Sequence, residues 1–283
     1  MPDPASVAIT ILNWAWDNWG LIEKRLRQIR EWFQKPNNRP ILILGPGGCG
    51  KTTLLHILAG DRDWLRDTPW VYAESVGQDT KPLADDPHVQ VVVNPGQPLR
   101  EQTYWRDVQA AVSTGKYRGV VLLTAFGYHS LGHGVQVKNH PLYQPGGRNP
   151  TADFLTRYLV DRRTEEVRVL RKLVPHLQAC PKPVWLLTVV AKQDLWVGEQ
   201  PAAAAFYRTG DYGEVVTELV AGKDAAQFRH ELALGSLVIA NFATVVGESL
   251  AKNTAGYDHR TQVESVKRLI EVIYTLVEWE GRT

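Results

Sequence analysis

Cysteine is almost absent from this 283-residue chain, which has 2, Cys49 and Cys180. Two thiols cannot build a disulfide framework, so a reducing cytoplasm is the expected setting. Long hydrophobic runs are missing too: no stretch approaches the roughly 18 uncharged apolar residues that a membrane-spanning helix needs. The apolar start follows Asp3 and lacks a small-residue cleavage site, so no signal peptide is predicted. Neither sign of charge dominates. The 32 basic side chains nearly balance 30 acidic ones, for a net charge of +2, which gives no global argument for nucleic acid or for an acidic partner. Internal repeats and low-complexity tracts are also lacking. What is present is ordinary globular composition, 44% hydrophobic and 22% charged, enough for one large domain or two small ones.

Residues 5–34 contain no proline and read as one helix. Leu12, Ala15, Trp19, Ile22, Leu26, Ile29 and Phe33 recur at steps of three and four, a heptad seam. Trp14 and Trp16 lie in its apolar first half, and Lys24, Arg25, Arg27 and Arg30 in its basic second half. Three roles stay open: self-association or docking on a partner helix, contact with a membrane surface, or packing back on its own domain. Lys35–Pro40, KPNNRP, ends the helix, so the chain divides into a helix at 1–36 and a domain at 37–283.

From Ile41 the pattern alternates. Apolar runs at Ile41–Leu44, Val89–Val93, Val120–Phe126, Val184–Val190 and Leu237–Ala240 read as buried strands, with Trp70–Ser75 as an edge strand. Helices are expected near 52–60, 101–113, 151–174, 243–252 and 262–279. Such alternation implies an α/β fold with a mostly parallel sheet covered on both faces. A Gly/His/Pro-rich insert at about 127–150 is longer than an ordinary connection.

Gly45-Pro46-Gly47-Gly48-Cys49-Gly50-Lys51-Thr52 matches G-x-x-x-x-G-K-[ST], with a strand pattern before it and a helix pattern after it, and Thr53 joins these residues as an expected nucleotide contact. Glycines let consecutive N–H groups turn inward as an anion nest, and the helix directs its positive end at the phosphates. Lys51 is expected on the β and γ phosphates and the Thr52 hydroxyl on Mg²⁺.

Leu186–Trp196, LLTVVAKQDLW, places Ala191-Lys192-Gln193-Asp194 directly after a strand. It resembles the [NT]-K-x-D guanine motif of Ras-superfamily GTPases. A carboxylate at Asp194 can accept from N1–H and the 2-amino group of guanine, a donor pair that adenine lacks. Lys192 would cover the base with its aliphatic stem. Ala191 departs from the family's Asn or Thr. Val89–Arg100, VQVVVNPGQPLR, lies where the family has D-x-x-G. Gly96 matches the glycine that meets the γ-phosphate, and Gln97 the glutamine that orients water. Val93 stands where the family has Asp. Bacterial Ras-like GTPases of the gliding-motility type are similar in carrying Pro-Gly-Gln without that Asp. Thr68, with Ser75 as fallback, occupies the place of a switch threonine and second Mg²⁺ ligand. Asn241, in Ser236–Thr244, weakly resembles the last base-contacting motif.

The motifs occur in family order, and the resemblance covers about residues 40–255. It is to a divergent P-loop small GTPase, of a bacterial Ras-like branch or of the Arf and signal-receptor β-subunit branch. The resemblance implies a three-layer P-loop NTPase fold with one antiparallel edge strand, preceded by the N-terminal helix. It implies GTP or GDP with Mg²⁺, slow hydrolysis, and a protein effector with an activating protein. The site is expected in the cytoplasm, with peripheral membrane contact if the first helix binds lipid. A nucleotide-holding scaffold without turnover, and an ATPase, are the competing readings. His129, His133 and His140 give no zinc set, since glycines argue for a loop there, solvent-facing or beside substrate. Arg100, Arg106 and Arg148 are each candidates for an internal arginine finger. Asp161–Leu177 reads as a half-buried helix with Glu165 and Glu166 paired along it.

Overall fold

The structure is a computed structural model that describes residues 20, 22–32, 39–60, 79–82, 90–93, 98–129, 137–146, 148–237, 242–245, 248–252 and 256–279. Helix α1 (22–32) precedes β1 (Ile41–Leu44), α2 (Lys51–Ala59), β2 (Asp79–Pro82), β3 (Gln90–Val93), α3 (Pro98–Ser113) and β4 (Gly119–Thr124). Then come α4 (Pro150–Ala179), β5 (Val184–Val190), a short α5 (Gln193–Trp196), α6 (Gln200–Arg208) and α7 (Asp211–Ala221). Strand β6 (Phe228–Leu234), a hairpin of β7 (Phe242–Val245) and β8 (Glu248–Lys252), and α8 (His259–Glu278) complete the order.

The main sheet runs β2-β3-β1-β4-β5-β6. All neighbours are parallel except β2, which pairs antiparallel with β3 at one edge. Alternate residues serve opposite faces, as a pleated strand requires. Leu42, Leu44, Val120, Leu122 and Leu186 join one buried cluster, with Val108 of α3, Leu170 of α4, Tyr207 of α6 and Leu219 of α7. Ile41, Ile43, Val121, Leu123 and Leu187 join the other, with Leu54 of α2 and Ile273 of α8. Helices thus cover both faces, and the fold is the three-layer α/β arrangement expected, down to the antiparallel edge strand.

Several elements differ from the sequence expectation. The edge strand is Asp79–Pro82; Trp70–Ser75 lies outside the described residues. The last strand of the sheet is FRHELAL at Phe228–Leu234, and Leu237 already lies beyond it. As an edge strand it is only half covered, so it carries an Arg229–Glu231 ion pair at 2.7 Å where an apolar run is expected. Residues 243–252 form the β7–β8 hairpin, not a helix. Val245 pairs with Glu248, and the two strands run antiparallel. Strand β4 stops at Thr124, and Phe126 turns out of the sheet at φ 51°. Helices α6 and α7 are additions that periodicity does not anticipate.

The described half of the N-terminal helix settles onto its own domain. Ile22, Leu26 and Ile29 are at most 2% exposed and lie in the same cluster as β1, α2 and α8. Arg25 joins Glu271 at 2.7 Å and lies 4.7 Å from the Tyr274 ring centre. In this half the seam is therefore filled from within, which corrects the docking and membrane readings for 22–32; residues 1–19 lie outside the described part. Among the described residues no helix is long and apolar enough to cross a membrane.

Truncating Ile29 to Ala should destabilise the domain by about 2–5 kcal/mol, the usual cost of emptying a core site. Urea unfolding at dilute protein measures it. An unchanged midpoint would mean that the seam serves another chain.

Candidate functional site

Parallel strands put all their C-terminal ends on one edge of the sheet, and ligands of open α/β folds bind there. Four loops meet at this edge: Gly45–Gly50 after β1, Ala125–His129 after β4, Ala191–Lys192 before α5, and Gly235–Leu237 after β6. Close approaches join them. A Cβ on Gly45 would lie 2.3 Å from the Leu123 carbonyl oxygen, and one on Gly50 would lie 3.2 Å from Leu237 Cδ1.

The first loop has φ of 143° at Gly45, 71° at Gly48 and 99° at Gly50, conformations that glycine alone adopts cheaply. Gly50 caps α2 without a side-chain hydrogen bond, and no acidic residue occupies the first turn. The helix therefore presents its positive end. Lys51 Nζ donates to the carbonyls of Gly45 at 2.9 Å and Pro46 at 2.8 Å, so the ammonium curls back over the loop. Cys49 Sγ donates to the Pro46 carbonyl at 2.9 Å, and burial pushes this thiol's pKa up. Cys49 thus ties the loop together from inside. Thr52 and Thr53 follow, both half-buried.

The loop after β5 is held equally closely. Ala191 N–H donates to the Thr124 carbonyl at 2.8 Å, and Gly235 N–H to the Val190 carbonyl at 3.1 Å. Lys192 adopts φ 56°, a left-handed conformation uncommon for a side-chain-bearing residue. Its ammonium donates to the Tyr128 carbonyl at 3.0 Å, and burial lowers its pKa. Asp194 is 1% exposed. Its N–H donates to Ser236 Oγ at 2.9 Å, while the Ser236 hydroxyl donates back to Asp194 Oδ1. Ser236 N–H is held in turn by the Tyr257 hydroxyl at 3.1 Å.

The third loop contains the groups that sequence reasoning missed. Ala125 and Gly127 N–H groups donate to Glu166 Oε1 at 2.9 and 3.0 Å, and Phe126 N–H donates to the Tyr207 hydroxyl at 2.9 Å. Tyr207 donates onward to Glu166 Oε2 at 2.6 Å. Three successive amides around a left-handed Phe126 make an anion nest, and the chain fills it with its own carboxyl group. Glu166 is 0% exposed, and desolvation pushes its pKa up to about 7 against the pull of these donors. His129 beside it, Nε2 3.8 Å from Glu166 Oε1, is lowered to about 3 by burial.

Predicted site residues fall into three groups. Gly45 through Thr53, Lys192 and Asp194 stand on the shared edge. Thr68, Ser75, Gly96, Gln97, His133 and Asn241 lie outside the described residues, as does the side chain of Arg100. Arg106 and Arg148 are exposed. The Lys192 ammonium is held by the Tyr128 carbonyl, a contact that concerns its charged end and not its aliphatic stem. Two expectations are corrected. Glu166 turns inward, leaving Glu165 to pair with Arg162 at 2.6 Å and Arg168 at 3.8 Å. His129 is fully buried rather than facing solvent. Ser236 opens the Ser236–Thr244 stretch, but its place just beyond β6 is visible only once that strand is seen to end at Leu234. For Glu166 the only signal was a carboxylate whose i, i+3 and i, i+4 neighbours include the apolar Val169 and Leu170.

No protein-family model matches the chain, and no curated protein matches it. Solved structures similar to it include the ADP-ribosylation-factor-like Sar1 GTPase of Encephalitozoon cuniculi in complex with GDP. That match has 12% identity and a TM-score of 0.42, covering 96% of this chain and 89% of that one. The Chaetomium thermophilum signal recognition particle receptor SRb with GDP aligns at 14% identity and TM-score 0.40, over 86% of this chain and 99% of that one. The mammalian receptor aligns at 16% and 0.40, over 84% and 100%. None of these three bears on the bacterial likeness read from Pro-Gly-Gln.

The two buried titratable groups act in opposite directions. Glu166, raised from 4.5 to about 7, favours the folded state when protonated, so its contribution is lost as pH rises through that window. His129, lowered from 6.5 to about 3, contributes above pH 6.5 and loses this as pH falls. Relative to wild type, Glu166→Gln should therefore gain up to about 3 kcal/mol between pH 5 and 8. Denaturation at both pH values measures this, and a constant difference would mean that Glu166 does not titrate in the folded state.

Proposed function

We propose that this chain is a guanine-nucleotide-binding switch of the Ras-superfamily type that hydrolyses GTP slowly. The observation that carries the reading is a shared address. The Gly45–Thr52 loop and the Lys192–Asp194 turn, which the sequence assigns to phosphate and base, lie on the same strand-end edge, bridged by Ser236 and Leu237.

The residues fit a nucleotide on physical grounds. Left-handed Gly48 and Gly50, the uncapped start of α2 and the Lys51 ammonium form one concentrated positive field, suited to a di- or triphosphate. Asp194, held by Ser236, is assigned to a base edge that offers two donors. Mg²⁺ would be held by Thr52 and, in this proposal, Thr68. It would supply charge neutralisation between the phosphates. Gly96 and Gln97 are assigned to the γ-phosphate and attacking water, and Asn241 to the base. β3 is parallel to β1 and ends with Val93 opposite Ile43, at the strand-end edge that also bears the Gly45–Gly50 loop. The output would be γ-phosphate ordering of segments 61–80 and 96–106, read by a protein effector and reset by an activating protein, with no nucleic acid partner. A cytoplasmic protein with peripheral membrane contact through residues 1–19 fits this role. Val93 at the usual Asp position favours a second reading, a scaffold that holds nucleotide without turnover.

Titration with GTP and ATP in Mg²⁺, with phosphate release followed in parallel, separates these readings. Wild type should prefer GTP by at least about 100-fold, given the unpaired buried acceptor that adenine would leave. Lys51→Ala should lose binding of both nucleotides, and Asp194→Ala should lose the preference. Tight GTP binding without phosphate release would select the scaffold, and a preference for ATP would sink both.

A further inference from the structure

Glu166 lies on α4, outside every motif assigned to nucleotide, yet it organises a loop that reaches the proposed base site. We infer that Glu166 is a positioning residue for the nucleotide: by filling the amide nest of Ala125–Gly127 it aims the Tyr128 carbonyl that holds Lys192. This rests on the guanine-nucleotide reading above.

The geometry is continuous. Glu166 Oε1 accepts from the amides on both sides of Phe126, and Tyr207 takes the one between. These contacts offset the left-handed Phe126, a conformation that a bulky side chain seldom adopts unless its surroundings impose it. Gly127 is required beside it, since at φ 84° a Cβ would lie 2.5 Å from the Leu159 carbonyl oxygen. The chain then presents the Tyr128 carbonyl to Lys192 Nζ at 3.0 Å, and the Tyr128 side chain is fixed by its hydroxyl donating to Glu199 at 2.9 Å. Lys192 is itself left-handed and precedes Gln193 and Asp194. Two strained backbone positions on neighbouring loops are thus coupled through one ammonium–carbonyl contact, and one side is fixed by Glu166. Charged and titratable groups facing Glu166 are His129 on the loop, Arg163 on its own helix, Tyr207 on α6, Tyr212 on α7 and Cys49 on the first loop.

The test measures GDP affinity by fluorescence titration and amide exchange at residues 125–128 in the nucleotide-free protein. Glu166→Ala should raise exchange there and weaken GDP about tenfold, the usual scale for losing hydrogen bonds to a charged acceptor. Glu166→Gln keeps Oε1 as acceptor and should recover most of that affinity. In a Lys192→Ala background the same Glu166→Ala change should cost less than about twofold, because the route is already cut. Tyr207→Phe, which removes only the hydroxyl, reads the same route if Glu166→Ala does not fold. It should weaken GDP in wild type and not in Lys192→Ala. Equal GDP affinity in wild type and Glu166→Ala, or the same loss with and without Lys192, would overturn the positioning role alone. A wild-type protein that binds neither GDP nor GTP would overturn the nucleotide reading, and this inference with it.

Discussion

Burial of a parallel sheet on both faces is the constraint from which the rest follows. Ile41–Leu44 and Val184–Val190 are buried at every position, Thr188 included. No room is left along these strands for polar chemistry. Polar groups are therefore gathered at the strand ends, where the backbone leaves the sheet and needs new hydrogen-bond partners, and the proposed site lies there. The P-loop, the Lys192–Asp194 turn, the Gly235–Leu237 segment and the Phe126 turn all arise at that edge for the same reason.

Each of these loops obtains its partners from a different layer. Lys51 and Cys49 close the first loop on itself. Ser236 ties Asp194 to the end of β6, and Tyr257 with Ser265 of α8 supports Ser236 from behind. Glu166 and Tyr207 come from the opposite face and fix the loop after β4. Helices on both sides of the sheet thus contribute to one edge, and core packing sets its geometry. Lys192 and Phe126, the only non-glycine residues with positive φ among those described, lie on these loops. That is where backbone strain is expected when surroundings must define a site.

Sequence legibility divided along physical lines. Ile41–Leu44 and Val184–Val190 were readable to the residue, because a strand buried on both faces has to be an uninterrupted apolar run. The P-loop was readable because its glycines are demanded by backbone conformation. Strand β6 was not, since an edge position relaxes the apolar requirement and lets Arg229, His230 and Glu231 in. The β7–β8 hairpin reads as a helix in sequence because Ala243, Val246 and Leu250 fall at helical steps of three and four. Glu166 escaped for another reason: helical periodicity assigns a carboxylate to solvent, and only tertiary structure reveals an acceptor needed inside.

Why a carboxylate, rather than an apolar residue, fills that interior position can be argued from what surrounds it. Three consecutive amides in a left-handed turn cannot pair with a strand or a helix, and leaving them bare in a dry site would cost several kilocalories per mole. One carboxyl oxygen accepts two of them, and its second oxygen fixes the tyrosine that takes the third. Desolvation opposes this arrangement strongly enough to bring the group's ionisation to about neutral pH. Removing the carboxyl would relieve that cost but strand the amides, and the turn would relax. A buried group held near balance between charge and hydrogen bonding is retained here for the shape it imposes on the loop.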